Sequence, residues 1–328
     1  MISTSTARIC VVGSLVVDLV VWLPYFPRKG ETLHPSRFQI FAGGKGFNQA
    51  VTARRCGAEA SLVGRVGMDA FGEMFFQLME REAIDGRFVA RDPELGTSLG
   101  IPMIDPSGDN SIIGIPRANT RLSVQDVRAA QPVVADSHVL LLQLEVPLAA
   151  SIHAAQIAQG AGATVILNPA PAHLPLEALL PSEMSQAGWI DWLIPNEVEA
   201  EMLTGRPVRS VEDARQAARA LLACGVRRGV VITLGAQGAL AVTQDTEHYA
   251  PAFPVTPVDP TGAGDAFCGA FSVALAESRS LEDALRFANA AGALCVTVAG
   301  AEPSLPYRAS IERLVLSGGK IRSHDSLS

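Results

Sequence analysis

The chain has 328 residues, 48% of them hydrophobic and 18% charged, with 26 Lys+Arg against 33 Asp+Glu and a formal net charge of −7. That composition describes a folded globular chain and excludes an extended disordered one. The acidic balance argues against broad electrostatic binding to nucleic acid, and an aromatic content of only 5% argues against a stacking platform for single strands as well.

In chain order, the polar segment Met1–Arg8 lacks the apolar core of a secretory signal. It leads into a short buried strand, Ile9–Val12, closed by Gly13. Val16–Phe41 then mixes strand formers with Pro24, Pro27 and Gly30, and Thr97–Ile115 alternates apolar and polar residues around Asp105–Asn110. Both predict short antiparallel strands outside the main sheet, forming a small β lid over its edge. Between them, Phe47–Cys56 predicts a helix with Gly57 where a C-terminal glycine cap belongs. Further buried strands are predicted at Val139–Leu144, Thr164–Leu167, Trp192–Ile194 and Val230–Leu234. Helices at Glu197–Leu203 and Val211–Cys224 are closed by Gly205 and Gly225, and Leu240–Val242 follows a glycine-containing turn at Gly235–Gly238, as in an antiparallel hairpin. The alternation predicts an α/β fold with a mainly parallel sheet and helices on both faces. No repeat or composition break marks a second domain, so residues 1–328 are expected to form one, ending in a frayed polar tail from Ser317 to Ser328.

The mean hydropathy is +0.25, yet Asp18 interrupts the first apolar run, and Gln143 and Glu145 interrupt the stretch from Val139 to Leu148. No run approaches the roughly 20 residues that a bilayer requires, so no membrane partner is expected. Five scattered cysteines, Cys10, Cys56, Cys224, Cys268 and Cys295, form no C-x-x-C pair. They predict small core residues in a reducing cytoplasm. The six histidines are dispersed without metal-ligand spacing. Arg54–Arg55 and Arg227–Arg228 predict solvated helix ends, and Trp22 fits either lid packing or a lid contact to a ligand.

Three segments carry chemistry. In Val258–Ala276 the apolar residues Phe267, Ala270, Phe271, Ala274 and Leu275 recur at helical spacing after Gly264. Gly262 and Gly264 therefore sit in the turn opening a buried helix, where free N–H groups and the positive dipole end make an anion hole. Taken alone, the segment equally fits a turn capped by Asp265. Two glycines plus a carboxylate beside an anion hole also suit phosphoryl transfer, which needs donors for the phosphates and a base for the acceptor hydroxyl. Neither a Walker loop nor a dinucleotide fingerprint is present, since Lys45 is followed by Gly46 and Phe267 occupies the third glycine position. Gly43–Ala50, G-G-K-G-F-N-Q-A, opens another helix, with close backbone approach at its glycines and polar groups at Lys45 and Asn48. Pro195–Glu199 has the spacing of a capping box in Asn196 and Glu199, and lies after a buried strand where its carboxylates could also face a metal–phosphate complex.

These motifs in this order resemble the ribokinase family of carbohydrate kinases, the PfkB group, over nearly the whole span from Ile9 to Tyr307. The similarity extends to Gln143–Glu145, Asn168–Ala172, Thr233–Gly238 and Gly300–Ser304. The resemblance implies a three-layer α/β/α fold with a β lid that often clasps a dimer, so a homodimer through the lid is expected. It implies ATP as phosphoryl donor, a sugar as acceptor, Mg²⁺, and K⁺ as an activator. By the same resemblance Asp265 is the catalytic base, and Gly262, Ala263 and Gly264 form the anion hole. Asp18, Gly44, Lys45, Asn48 and Glu145 contact the sugar, whereas Asn196 and Glu199 act on phosphate and magnesium. Thr233, Gly235 and Gly238 contact the nucleotide, with Asn289 beside adenine. Asp259, Thr261 and Ser304 belong to a monovalent-cation site. One position departs from the pattern: Gly13–Asp18 reads G-S-L-V-V-D, so Val16 stands where ribokinases have a sugar-contacting Asn. The expected activity is transfer to the primary 5-hydroxyl of ribose or 2-deoxyribose, with a nucleoside or a fructose-type sugar as the alternative acceptor.

Overall fold

The computed structural model describes residues 6–107, 110–180 and 188–318. Its strands, in chain order, are β1 (Arg8–Val12), β2 (Val16–Trp22), β3 (Arg37–Gly43), β4 (Glu59–Gly67), β5 (Asp85–Asp92), β6 (Ser98–Ile104) and β7 (Asn110–Ile115). There follow β8 (Val139–Leu142), β9 (Thr164–Leu167), β10 (Trp192–Leu193), β11 (Gly229–Thr233), β12 (Ala239–Thr243) and β13 (Glu247–Ala250). Among the described residues, nine strands form one sheet in the order β13-β12-β11-β10-β9-β8-β1-β4-β5. All its pairings are parallel except β11 with β12 and β12 with β13.

The pleat sends alternate residues to opposite faces. Ile9 and Val11 of β1 enter one core and Cys10 and Val12 the other. Burial on both faces is why these strands appear in the sequence as continuous apolar runs. The first core is covered by α1 (Lys45–Arg55), α2 (Ala70–Arg81) and three later helices, α9 (Ala263–Ala276), α10 (Leu281–Cys295) and α11 (Arg308–Ser317). The second is covered by α3 (Val124–Ala129), α4 (Gln131–Asp136), α5 (Leu148–Gly160), α6 (Leu176–Leu179), α7 (Glu197–Thr204) and α8 (Val211–Ala223). This is the expected three-layer α/β/α arrangement.

Both lid excursions form one separate sheet, in the order β3-β2-β6-β7. Its two hairpins are antiparallel, but β2 and β6 pair in parallel, so the expectation of a purely antiparallel lid is corrected. The chain passes from β3 through α1, β4, α2 and β5 before β6, and that crossover returns β6 in the direction of β2. Trp22 packs within the lid beneath the Arg37 guanidinium, 4.5 Å from its ring centre.

Several local expectations shift. The strand expected to reach Leu144 stops at Leu142, where the Leu144 N–H turns to the Ala170 carbonyl at 3.0 Å. Helix α9 starts at Ala263, ahead of Gly264, because Gly262 takes the left-handed cap at φ 82°. Cys224 is exposed, whereas the other cysteines are buried. Arg55 is not solvated: it is buried against Glu82 at 2.8 Å and Glu302, and donates to the carbonyls of Glu302 and Leu305. Arg227 and Arg228 are half-exposed, and both face the buried Asp191 carboxylate. The tail beyond Gly318 lies outside the described residues.

Candidate active site

A cavity of about 860 Å³ opens at the carboxyl ends of the central parallel strands, roofed by the lid, where open α/β sheets place ligands. Val16, Asp18, Gly44, Lys45, Asn48, Glu145, Gly262 and Asp265 all line it, with Thr261 from the cation-loop set. The lid contributes Gly100, Ile112 and Gly114.

Local backbone explains the glycine motif before α1. Gly44 has φ 88°, and a Cβ there would lie 2.6 Å from the Val16 nitrogen. A Cβ on Gly46 would meet the Ser14 nitrogen at 2.5 Å, so this helix starts directly on the end of β1. Gly43 and Gly100 flank the Asp18 carboxylate, where side chains would approach its oxygens at 2.5 and 2.4 Å. Asp18 is thus wedged between two strands with no Cβ on either side. Burial, with the Glu145 and Asp265 charges adding to it and Lys45 opposing, pushes its carboxyl up to about 7.

Asp265 stands in the first turn of α9 and is only 7% exposed. It is not the helix cap, because its side chain is turned away: Oδ2 accepts from Asn48 Nδ2 at 2.9 Å and Oδ1 from Gln49 Nε2 at 3.0 Å. Burial raises its carboxyl above the usual range, while Lys45, Asn48 and Gln49 favour the anion. Burial would lower the Lys45 ammonium, yet Asp265, Glu145 and Glu199 outweigh it and hold Lys45 above its ordinary value. Glu145 also accepts from the Lys45 N–H at 3.1 Å and from the Ser14 hydroxyl. The result is a largely buried carboxylate that can take a proton, beside the Lys45 cation, at the wall of the cavity.

Gly262 in its left-handed conformation caps α9 and places Asp265 in its first turn. The Ala263 N–H turns to the Pro260 carbonyl at 3.2 Å, and Ala266 makes the bond back to Gly262 at 2.8 Å. The amides of Gly264 and Asp265 lie between them in the first turn, where a helix has no internal acceptor. A Cβ on Gly264 would have nothing within 4 Å. The preceding loop is held by Asp259, which accepts from Thr261 N at 2.9 Å and Gly300 N at 2.8 Å. The Thr261 carbonyl and the Ser304 hydroxyl meet around Cys295 Sγ, at 3.5 and 3.1 Å. A carboxylate and a carbonyl from the loop before α9, with a hydroxyl from the turn after α10, fit a hard cation bound by oxygen.

The remaining expected residues form a second group along the β10–β13 end. Asn196 and Glu199 make the capping box of α7 in both directions, and the Glu199 charge is felt by Lys45 and Asp265. Burial holds the Glu199 carboxyl above its usual range, an environment that a divalent cation would relieve. Asn196 bridges to Thr233. Gly238, at φ 106°, lies so close to the end of β13 that a Cβ would meet the Ala250 carbonyl at 2.1 Å. Gly235 turns beneath Glu197, whose Oε1 would lie 3.7 Å from a Cβ there. Asn289 is buried and donates to the Ala250 carbonyl at 2.8 Å, so it ties α10 to the end of β13. None of these six residues lines the large cavity.

Sequence reasoning passed over Gln49, and over Asn119, which also lines the cavity. The Asn119 amide clamps Leu15 at both ends, accepting from its N–H at 3.2 Å and donating to its carbonyl at 3.0 Å, and so sets the backbone that presents Val16. These partners are 104 residues apart, and no local spacing signals such a contact.

The profile of the pfkB family carbohydrate kinase matches residues 6–308. A ribokinase of Haemophilus influenzae is 39% identical over 91% of this chain and 95% of its own. A deoxyribokinase of Salmonella typhi is 37% identical, with the same 91% and 95% coverage. Among solved structures, the Arabidopsis thaliana ribokinase complexed with ribose and ATP superposes with a TM-score of 0.85 at 34% identity, covering 95% of this chain and 99% of that one.

Proposed function

This chain belongs to the pfkB family of carbohydrate kinases, and from that premise we propose that it transfers the γ-phosphoryl group of ATP to the primary 5-hydroxyl of ribose or 2-deoxyribose. It is an ATP-dependent carbohydrate kinase. The observation that carries the reading is Asp265, a buried carboxylate with two amide donors, between the Gly43–Ala50 turn and the amino end of α9.

The sugar lies among Asp18, Gly44, Lys45, Asn48 and Glu145, with its primary hydroxyl toward Asp265, which orients it and takes its proton. Gly262, Ala263 and Gly264 form the turn of the hole that receives charge developing on the transferring group, with the Gly264 N–H as its open donor because the Ala263 N–H is held by the Pro260 carbonyl. Asn196, Thr233, Gly235, Gly238 and Asn289 form the nucleotide side. When bound, Mg²⁺ neutralises phosphate charge, with Glu199 as the carboxylate nearest that role. Asp259, Thr261 and Ser304 would hold K⁺, which orders the loop before α9 without entering the chemistry. The lid excludes water, which would otherwise compete as acceptor. Exposed Phe38, Ile40 and Ile113 on the lid support a homodimer contact there, with the whole chain acting as one cytoplasmic kinase domain.

The two named relatives are nearly equal in identity, so the choice of sugar rests on Val16, whose side chain offers no hydrogen bond to a 2-hydroxyl. The test is ADP release with ribose, 2-deoxyribose, fructose and several nucleosides. Rapid turnover of the two pentoses supports the proposal. A strong preference for nucleosides, or no acceptor-dependent release at all, would overturn it.

A further inference from the structure

A primary amide donates at one end and accepts at the other, so the direction of a chain of buried amides is dictated by its termini. Asn168 donates Nδ2 to the Ile194 carbonyl at 2.9 Å. A peptide carbonyl only accepts, so Asn168 must present Oδ1 to its other neighbour, Gln49. The ionised Asp265 carboxylate likewise only accepts. Gln49 answers both with one NH₂ group, donating to Asp265 Oδ1 at 3.0 Å and to Asn168 Oδ1 at 3.3 Å. Its own Oε1 then accepts from Gln143 Nε2 at 2.5 Å. Gln49 and Gln143 are fully buried, and neither lines the cavity that Asn48 shares with Asp265. Two glycines make the space: a Cβ on Gly13 would fall 1.9 Å from Gln143 Oε1, and one on Gly269 would fall 2.8 Å from the Gln49 carbonyl.

We infer that Gln49 is a positioning residue for Asp265, locked in one amide orientation by Gln143 and Asn168, and that it sets the pH at which Asp265 can accept a proton. The inference rests on the reading of Asp265 as the base. Asn48, the other donor, also faces the cavity and therefore the sugar; Gln49 reaches the reaction only through Asp265. The other groups acting on Asp265 are the Lys45 ammonium, which favours its anion, and the carboxylates of Glu145, Asp18 and Glu199, which oppose it. The thiols of Cys268 and Cys295 are held protonated by burial. Against that background, removing a buried donor raises the affinity of Asp265 for its proton.

The experiment measures ADP release with saturating ATP across pH 5 to 9 in the native enzyme, Gln49→Met, Gln143→Met and Asp265→Asn. Gln49→Met is expected to move the acid limb of kcat/KM for the sugar upward by about one pH unit and to lower kcat, with the sugar KM little changed. Gln143→Met removes only the orienting donor and should move the limb the same way by less. Unmoved limbs in both variants, with Asp265→Asn inactive, would overturn the positioning role alone. Near-native turnover in Asp265→Asn would overturn the base reading beneath it. If Gln49→Met does not fold, the limb of Gln143→Met decides.

Discussion

An asparagine at position 16 would offer a ring hydroxyl both a donor and an acceptor; Val16 offers neither, and its Cγ1 faces the cavity within 3.7 Å of where a Gly100 Cβ would stand. A hydroxyl buried there goes unsatisfied at about 1–3 kcal/mol, whereas a deoxy carbon gains apolar contact. Val16→Asn should therefore raise kcat/KM for ribose relative to 2-deoxyribose by roughly 5- to 150-fold, the kinetic equivalent of that range. A native enzyme with strong ribose preference and an unchanged ratio in the variant would show that Val16 does not meet the sugar. Asp18 makes a second prediction. Its folded carboxyl titrates near 7, well above an unfolded aspartate, so the folded state holds the proton more tightly. Its contribution to stability is complete below about pH 4 and is lost as pH rises through 7. Asp18→Asn, which cannot ionise, should be more stable than the native protein at pH 8. The gap should close towards pH 4, while activity falls. Equal melting temperatures for the two proteins at pH 8 would contradict this.

Helices α1 and α9 meet at the Asn48–Asp265 contact, and two glycines on α9 shape that meeting in different ways. Gly269 lets the helices touch: a Cβ there would lie 2.6 Å from Thr52 Cβ. Gly264 has open space where its Cβ would be. Gly269→Ala should destabilise the fold by about 1–3 kcal/mol through overpacking and displace Gln49 from Asp265. Gly264→Ala should fold with native or slightly higher stability, since alanine favours helix, yet lose most of its turnover by crowding the phosphoryl group. Melting curves and ADP release on the two variants separate these effects. Normal activity in Gly264→Ala would mean that the open space serves no ligand.

Across the molecule, the lid, the C-terminal end of α1 and the loop before α9 meet at one segment, residues 300–305. Gly300 has φ 90°, and a Cβ there would strike the Phe41 ring of β3 at 2.6 Å. Its N–H is held by Asp259, and Arg55 of α1 grips the carbonyls of Glu302 and Leu305. A cation held by Asp259, Thr261 and Ser304 would stiffen the loop beside α9 and the surface that the lid packs on. Potassium is therefore expected to raise kcat several-fold over a bulky organic cation at matched ionic strength. Identical rates in the two salts would remove the cation from the account.

Much of this was legible in the sequence because it is local. Buried parallel strands leave apolar runs, glycine and proline punctuate them, and the three loop motifs carry their own residues with them; even the capping box of Asn196 and Glu199 appeared as spacing. What stayed hidden was whatever depends on partners far apart in the chain. Arg55 looked like a solvated helix end until Glu82 and Glu302 closed around it, 27 and 247 residues away. The parallel junction of β2 with β6 follows from a crossover, which no alternation pattern encodes. The sequence by itself determined the fold class and the order of the motifs, since backbone propensity and periodicity act over a few residues, and the resemblance of those motifs pointed to Asp265. Only the tertiary structure decided that Gln49 turns its amide to Asp265, because the two acceptors and one donor that orient it come from α9 and from the segments just after β9 and β8.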